Sequence, residues 1–309
     1  MYHFLKAATI LFFLLLVGSE TSSQNSKNIY ILGTAQDGGY PHAGCTKKCC
    51  APAWQDDSLV KYVVSFALVD SAAKKWWLFE ATPDIKFQLN LFNNLTHGFY
   101  NYLPDGVFIT HAHIGHYTGL MQFGKEVLHT KAIPVYVLPR MKTFLEQNGP
   151  WSQLVSLGNI SLQSLNPNSV LIISEKIKVE TVLVPHRYEF SETAGFKIFA
   201  GTKKYLFIPD IDKWENWNTS IADEVKSADV SLLDGTFYVS DELPGRKISD
   251  VPHPLVLETM ELFKNEPETI KNKIFFIHLN HTNPLLWDSG QKQKLIQAGF
   301  RVAEQGSSY

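Results

Sequence analysis

Val107-Phe108-Ile109-Thr110-His111-Ala112-His113-Ile114-Gly115-His116-Tyr117-Thr118-Gly119-Leu120 is the stretch of the 309-residue chain richest in chemistry. Its first four residues, β-branched or aromatic, read as a buried strand. His111, His113 and His116 follow at once. Alternate residues on extended backbone point the same way, so His111 and His113 can grip one ion. His116 can stand at the start of a following helix and face the same cavity. Imidazole is a good neutral ligand for Zn²⁺ and similar metals. Packing does not explain three such residues clustered at the end of an apolar strand. A metal centre does.

The stretch from Thr110 to Leu120 resembles the T-H-x-H-x-D-H-x-x-G-L signature of the metallo-β-lactamase superfamily. The resemblance implies an α/β chain folded as an αββα four-layer sandwich, with one or two active-site ions (Zn²⁺, or Mn or Fe in its place). Gly115 departs from it, because the family usually places a metal-binding aspartate there. That departure puts full dinuclear occupancy in doubt and leaves the first site whole. The remaining ligands are expected where later strands end. Val182-Leu183-Val184-Pro185-His186 ends in a histidine where the family has its fourth. Tyr205-Leu206-Phe207-Ile208-Pro209-Asp210 ends in an aspartate that matches the bridging carboxylate, with Asp212 as its competitor. Phe275-Phe276-Ile277-His278 supplies the last histidine, with His281 as its competitor.

Two end segments resemble one branch of that superfamily, the pyrroloquinoline-quinone biosynthesis protein B group. Leu32-Gly33-Thr34-Ala35-Gln36-Asp37-Gly38-Gly39-Tyr40-Pro41 is similar to its glycine-rich opening, which clustered cysteines follow. His278-Leu279-Asn280-His281-Thr282-Asn283-Pro284 is similar to its H-x-N-N-T-N-P segment, with His281 replacing an asparagine. Val184-Pro185-His186-Arg187 and Asp234-Gly235-Thr236-Phe237 also fit. The opening lacks a G-x-G-x-x-G and is no nucleotide fingerprint. Its glycines allow positive φ and close backbone approach, so the loop can border an active site. Asp37 either reaches that site or is a plain turn carboxylate. Beside it, His42, Cys45, Cys49 and Cys50 offer four ligands, the number a closed structural Zn²⁺ requires. Free thiols and an intermolecular disulfide are the alternatives. A closed internal set is excluded by the odd count, and the adjacent pair would make a strained ring.

Around these motifs the chain shows short strand candidates at 28–32, 62–69, 75–79, 107–110, 134–138, 170–173, 178–184, 196–200, 204–208, 230–233 and 273–279. Helix candidates fall at 83–92, 119–128, 142–147, 221–226, 254–263 and 286–298. Strands arrive mostly in pairs with helices interspersed, which fits two sheets with helices outside better than a simple βα alternation. No internal repeat or linker is visible, so 25–309 reads as one domain. The first residues differ. Lys6 precedes the apolar run Ala7–Val17, and small polar residues follow. This is the layout of a secretory signal over 1–24, and the run is short of the roughly 20 residues that span a bilayer. An uncleaved anchor is the alternative. The expected location is secreted or periplasmic, with no membrane contact after cleavage.

A formal net charge of −2 gives no electrostatic reason to expect nucleic acid. The expected partner is a small-molecule substrate; oligomeric state is unreadable. The resemblance implies metal-assisted hydrolysis of an ester, lactone, amide or phosphodiester by a metal-activated water. Asp210, His281 and Asp37 are the candidate catalytic side chains. Tyr117 and Arg187 are candidate substrate contacts, although Arg187 could equally be an ordinary surface charge. A metal-dependent oxidoreductase using iron at the same ligands, and a non-catalytic binding protein, are the competing classes. The branch name suggests cofactor synthesis, which is expected inside the cell, and the signal segment argues against it. N-x-[ST] sites occur at Asn94, Asn159, Asn218 and Asn280; glycosylation at Asn280 would conflict with the proposed site.

Overall fold

A computed structural model describes residues 27–242, 245 and 252–309, so the signal segment expected over 1–24 lies outside the described residues. Among the described residues no helix is long and apolar enough to cross a membrane. The first sheet has six strands in sequential order. They are β1 (Ile29–Gly33), β2 (Ser65–Asp70), β3 (Lys75–Phe79), β4 (Gly106–Phe108), β5 (Ile133–Val137) and β6 (Ile160–Ser164). The second has seven, again in sequential order across the sheet. They are β7 (Val170–Ile172), β8 (Ile177–Val184), β9 (Thr193–Ala200), β10 (Lys203–Ile208), β11 (Val230–Asp234), β12 (Ile274–Ile277) and β13 (Arg301–Val302).

Both sheets follow one plan. Strands β1 to β3 pair antiparallel, and β3 to β6 then run parallel. Likewise β7 to β10 pair antiparallel, and β10 to β13 run parallel. A tight turn can join antiparallel neighbours, whereas parallel ones need a long crossover, usually helical. The helices Ile85–Leu95, Pro139–Gln147, Ile221–Ser227, Val256–Leu262 and Ser289–Gln297 are those crossovers. This duplicated plan has no counterpart in sequence similarity, because hydrophobic alternation specifies a strand without specifying which residue fills it.

Three apolar layers separate the four structural ones. Between the sheets, Phe66, Phe79 and Phe108 of the first meet Phe196, Tyr205 and Phe207 of the second. Phe79 stacks on Phe108 at 4.7 Å and meets Phe196 edge-on at 5.4 Å, the offset and edge geometries aromatic rings prefer. Side chains alternate along a strand, so Val107 and Ile109 point the other way. They pack with Leu89, Phe92 and Leu145 beneath the first set of helices. Leu206, Ile208 and Phe276 do the same against Val225, Val256 and Leu295. The expected αββα sandwich is therefore what the chain forms.

Several boundaries differ from the reading of the sequence. The helix expected over 119–128 is a 3-10 turn, Thr118–Phe123, closed at Gly124. β6 was not anticipated: it is an edge strand of mostly polar residues with only Ile160 buried. β13 is two residues long, too short to leave a periodic trace. Asn159 and Asn280 are buried, so neither sequon is accessible in the folded chain.

Candidate metal centre

All the donors lie at one edge of the sandwich, for a topological reason. β1 and β3 run the same way because β2 is antiparallel to both, and β4 is parallel to β3. In the second sheet β8 and β10 share a direction across β9, and β11 and β12 are parallel to β10. Asp37, Glu80 and His111 follow β1, β3 and β4. His186, Asp210, Asp234 and His278 follow or close β8, β10, β11 and β12. The carboxyl ends of parallel strands are where α/β folds bind ligands.

Asp210 is the hub. His111 Nε2 lies 3.4 Å from its Oδ2 and His186 Nε2 3.1 Å from its Oδ1. His113 Nδ1 approaches Oδ2 at 4.0 Å. One donor atom from each of His111, His113, His186 and Asp210 lies within 4.8 Å of the others, close enough for a single ion. Asp37, His116 and His278 form a second such set beside it. His116 Nε2 is 3.4 Å from Asp37 Oδ1, and both His116 and His278 place Nε2 3.7 Å from Asp210 Oδ2. Asp210 thus stands between the two sets. His111 Nε2, His116 Nε2, His278 Nε2, Asp37 Oδ1 and Asp210 Oδ1 are buried with no hydrogen-bond partner. Buried polar atoms are almost always satisfied. A group of convergent, unpartnered N and O donor atoms fits a metal ion.

Outer partners fix the imidazoles. Thr236 Oγ1 donates its one hydrogen to Asp234 Oδ1 (2.7 Å), so it must accept from His278 Nδ1 at 2.9 Å. The proton is then on Nδ1, and Nε2 presents a lone pair to the centre. Asp212 does the same for His186, accepting from Nδ1 at 3.1 Å. Glu80, fully buried at the end of β3, lies 3.5 Å from His116 Nδ1. Burial alone would raise the Asp210 carboxyl, but the surrounding histidines hold it well below the usual range. Burial likewise pushes His111 well below the usual imidazole value and His113 down to about 4, so both are neutral ligands at pH 7.

The sequence reasoning missed some partners and misplaced others. Asp234 ends β11 just as the chosen ligands end their strands, and that signal could have found it. His253 could not be found that way, because its sequence context, Val251-Pro252-His253-Pro254, carries no apolar run that reads as a strand. It sits 2.9 Å from Asp234 Oδ2 and 3.3 Å from Asp210 Oδ1. Tyr117, expected to touch substrate, is buried instead against Phe144 and Trp151, with ring centroids at 5.5 and 4.9 Å. It sits on a four-residue helix, Ile114–Tyr117, whose inner face belongs to the core. Arg187 is exposed beside the centre.

The cysteine cluster also needs a correction. Its fourth member is His281 and not His42. His281 therefore stands with the thiols, outside the group around Asp210, and is not placed for the catalytic role expected of it. Cys45 Sγ and Cys49 Sγ are 3.7 Å apart, and all three cysteines are unbridged. His42 sets its ring, tilted by 33°, 4.3 Å from that of His281 and turns Nδ1 to the Ala43 carbonyl at 3.0 Å. Proximity in sequence favoured His42; the loop after β12 brings His281 in from the far end of the chain. Burial raises the Cys50 thiol to about 12 and raises Cys49, while Cys45 is lowered by bonds from its neighbours that outweigh its own burial.

Known proteins share this fold. The family described as the beta-lactamase superfamily domain matches residues 75–279, more than half of the chain. Coenzyme PQQ synthesis protein B of Methylorubrum extorquens (strain PA1) is 26% identical over 305 residues, covering 90% of this chain and 98% of that one. The solved structure of Zn²⁺-bound PqqB from Methylobacterium extorquens superposes with a TM-score of 0.75 at 21% identity, over 91% of this chain and 99% of that one. A diphosphatase of the PhnP family shares the fold at a TM-score of 0.62 and 18% identity, over 91% and 96% of the two chains. The chain belongs to the metallo-β-lactamase superfamily, and within it resembles coenzyme PQQ synthesis protein B.

Proposed function

We propose that the chain is a metal-dependent hydrolase acting on a small ester, lactone, amide or phosphodiester. The observation that carries this reading is the ring of buried, unpartnered donor atoms around Asp210. His111, His113, His186 and Asp210 would hold one ion, and Asp37, His116 and His278 would hold a second, with Asp210 shared between them. A metal held there would supply a water acidic enough to ionise near neutral pH and a Lewis acid to polarise a substrate oxygen.

The chain's own residues do the rest. Asp212, Thr236 and Glu80 fix the tautomer and aim of the ligand imidazoles. His253, bonded to Asp234 and close to Asp210, holds a proton beside the reacting centre. Its imidazole, which burial would lower, is raised to about 9 by those two carboxylates. His113 is the ligand that opens to solvent, with Glu189 at 3.9 Å and the exposed Ile114, Tyr188 and Phe190 nearby in sequence. A substrate entering on that side meets an apolar rim. Cys45, Cys49, Cys50 and His281 would close around a structural zinc that pins the opening loop. Zinc in the solved PqqB relative supports the choice of metal. Export through the N-terminal apolar run belongs to the same proposal; amino-terminal sequencing of the mature chain tests it.

One observation favours a second reading. Asp37, His116 and His278 are two histidines and one carboxylate, the donor set of non-haem Fe(II) oxygenases. Elemental mass spectrometry of the purified protein, beside the His111→Ala/His113→Ala variant, separates the readings. Zinc or manganese lost in the variant, with hydrolysis of an ester, lactone or phosphodiester panel, supports the hydrolase. Iron with oxygen uptake moves the assignment to the oxidoreductase. Metal content unchanged by the variant sinks the hydrolase reading, and a wild type without iron sinks the oxidoreductase.

A further inference from the structure

The motif loop lacks its acid at Gly115, yet a carboxylate stands beside that position. It comes from Asp37, in the opening loop after β1. A Cβ built on Gly115 would lie 2.2 Å from Asp37 Oδ1, 2.6 Å from its Cα and 3.0 Å from its Cγ. No side chain fits at 115 while Asp37 is in place. Asp37 Oδ1 is buried without a hydrogen-bond partner and points at His116 Nε2, 3.4 Å away and equally unpartnered. His278 Nε2 completes the set and has no partner either.

We infer that Asp37 supplies the carboxylate that the metal motif lacks, and that Asp37 and Gly115 form one exchangeable unit. The acid has moved from the motif loop to the opening loop, and the glycine is the space it required. This rests on the reading of the centre as a metal site and specifies how its second position is completed.

The backbone gives the opening loop the rigidity a ligand needs. Gln36 N–H donates to the Leu279 carbonyl and Leu279 N–H to the Thr34 carbonyl, each at 2.8 Å. Ala35 bridges to Val63 and Leu279 together. Asp37 is therefore tied to the residue that follows His278, so these two donors move as one piece. Gly39, at φ +68°, turns the chain away immediately afterwards. A ligand carried on a separate loop also makes the second position depend on how that loop is seated, which a motif aspartate would not.

The test is metal content per chain for the wild type, Asp37→Asn, Gly115→Asp and the double variant Asp37→Gly/Gly115→Asp, with circular dichroism to confirm folding. Asp37→Asn, nearly isosteric, should fold and lose one ion relative to wild type, keeping the ions of the His111 set and the cysteine cluster. Gly115→Asp alone crowds two carboxylates and should lower Tm. The double variant should regain both the ion and the Tm. Asp37→Asn with a wild-type ion count overturns the inference. So does a double variant that fails to fold or binds no more than Asp37→Asn. A wild type with no ion sensitive to His111→Ala/His113→Ala defeats the underlying metal reading instead, so the two failures are told apart.

Discussion

At the scale of single residues, the centre depends as much on where protons sit as on where donors sit. Thr236 has one hydroxyl hydrogen and spends it on Asp234, which forces His278 to donate from Nδ1. Thr236→Val removes that constraint while keeping the shape. Metal affinity, read by competition with a chelator, should fall by about 10–100-fold, the usual cost of losing an outer partner. An affinity within twofold of wild type would show the tautomer to be set elsewhere. His116 gives a pH prediction. Burial would lower it, but the charges of Glu80 and Asp37 raise it to about 10 in the apo-protein. A raised imidazole pKa contributes stability that is complete below the unfolded value of about 6.5 and is lost as pH climbs through about 10. At neutral pH the proton is therefore bound, and a metal must displace it. Metal uptake at pH 7 should release protons and tighten as pH rises toward 9. Calorimetric titration in buffers of different ionisation heat measures that release, and a flat affinity across this range would contradict the assignment.

At the scale of elements, the site was most legible where a donor directly follows an apolar strand, although Asp234, which closes β11 in the same way, escaped. His186, Asp210 and His278 were found that way, because a strand that ends at the functional edge must expose the next residues there. Two other residues escaped for different reasons. His253 follows no apolar run in the sequence, so nothing in its neighbourhood marks it. His281 was visible but attached to the wrong group, because sequence proximity favoured His42 as partner to the cysteines. What decides the matter is the turn after β12. Asn283 Nδ2 donates to the Gly235 carbonyl at 2.7 Å, and Asn280 N–H donates to the Thr236 carbonyl at 3.0 Å. These bonds curl 278–283 so that His278 faces Asp210 while His281 faces the thiols. Such long-range backbone pairing leaves no local pattern. His281→Ala should therefore lose the structural zinc and lower Tm, while His42→Ala should keep the zinc. Elemental analysis of both variants decides it, and the opposite ranking would restore His42.

At the scale of the whole molecule, the centre is a clamp between two sheets that are otherwise joined mainly by an apolar layer. Asp37, His111, His113 and His116 come from the first sheet; His186, Asp210 and His278 come from the second. Any ion that both sets share binds only when the sheets are docked, so metal binding and sheet docking are thermodynamically linked. A ligand at a hundredfold excess over its Kd stabilises the folded state by about 2.7 kcal/mol. Phe207, fully buried and packed edge-on against Phe66 and Phe79 across the interface, tests the apolar half of that docking. Phe207→Ala should cost about 3–5 kcal/mol through lost burial and the cavity left behind. The two magnitudes are comparable, so metal should recover much of the loss. Denaturant unfolding of Phe207→Ala should show a midpoint well below wild type after chelation and partly restored by added zinc. The same zinc should raise the midpoint far less in Phe207→Ala carrying His111→Ala and His113→Ala. Equal rescue with and without the histidines would place the stabilising ion at the cysteine cluster and break the proposed link between the centre and the docking of the sheets.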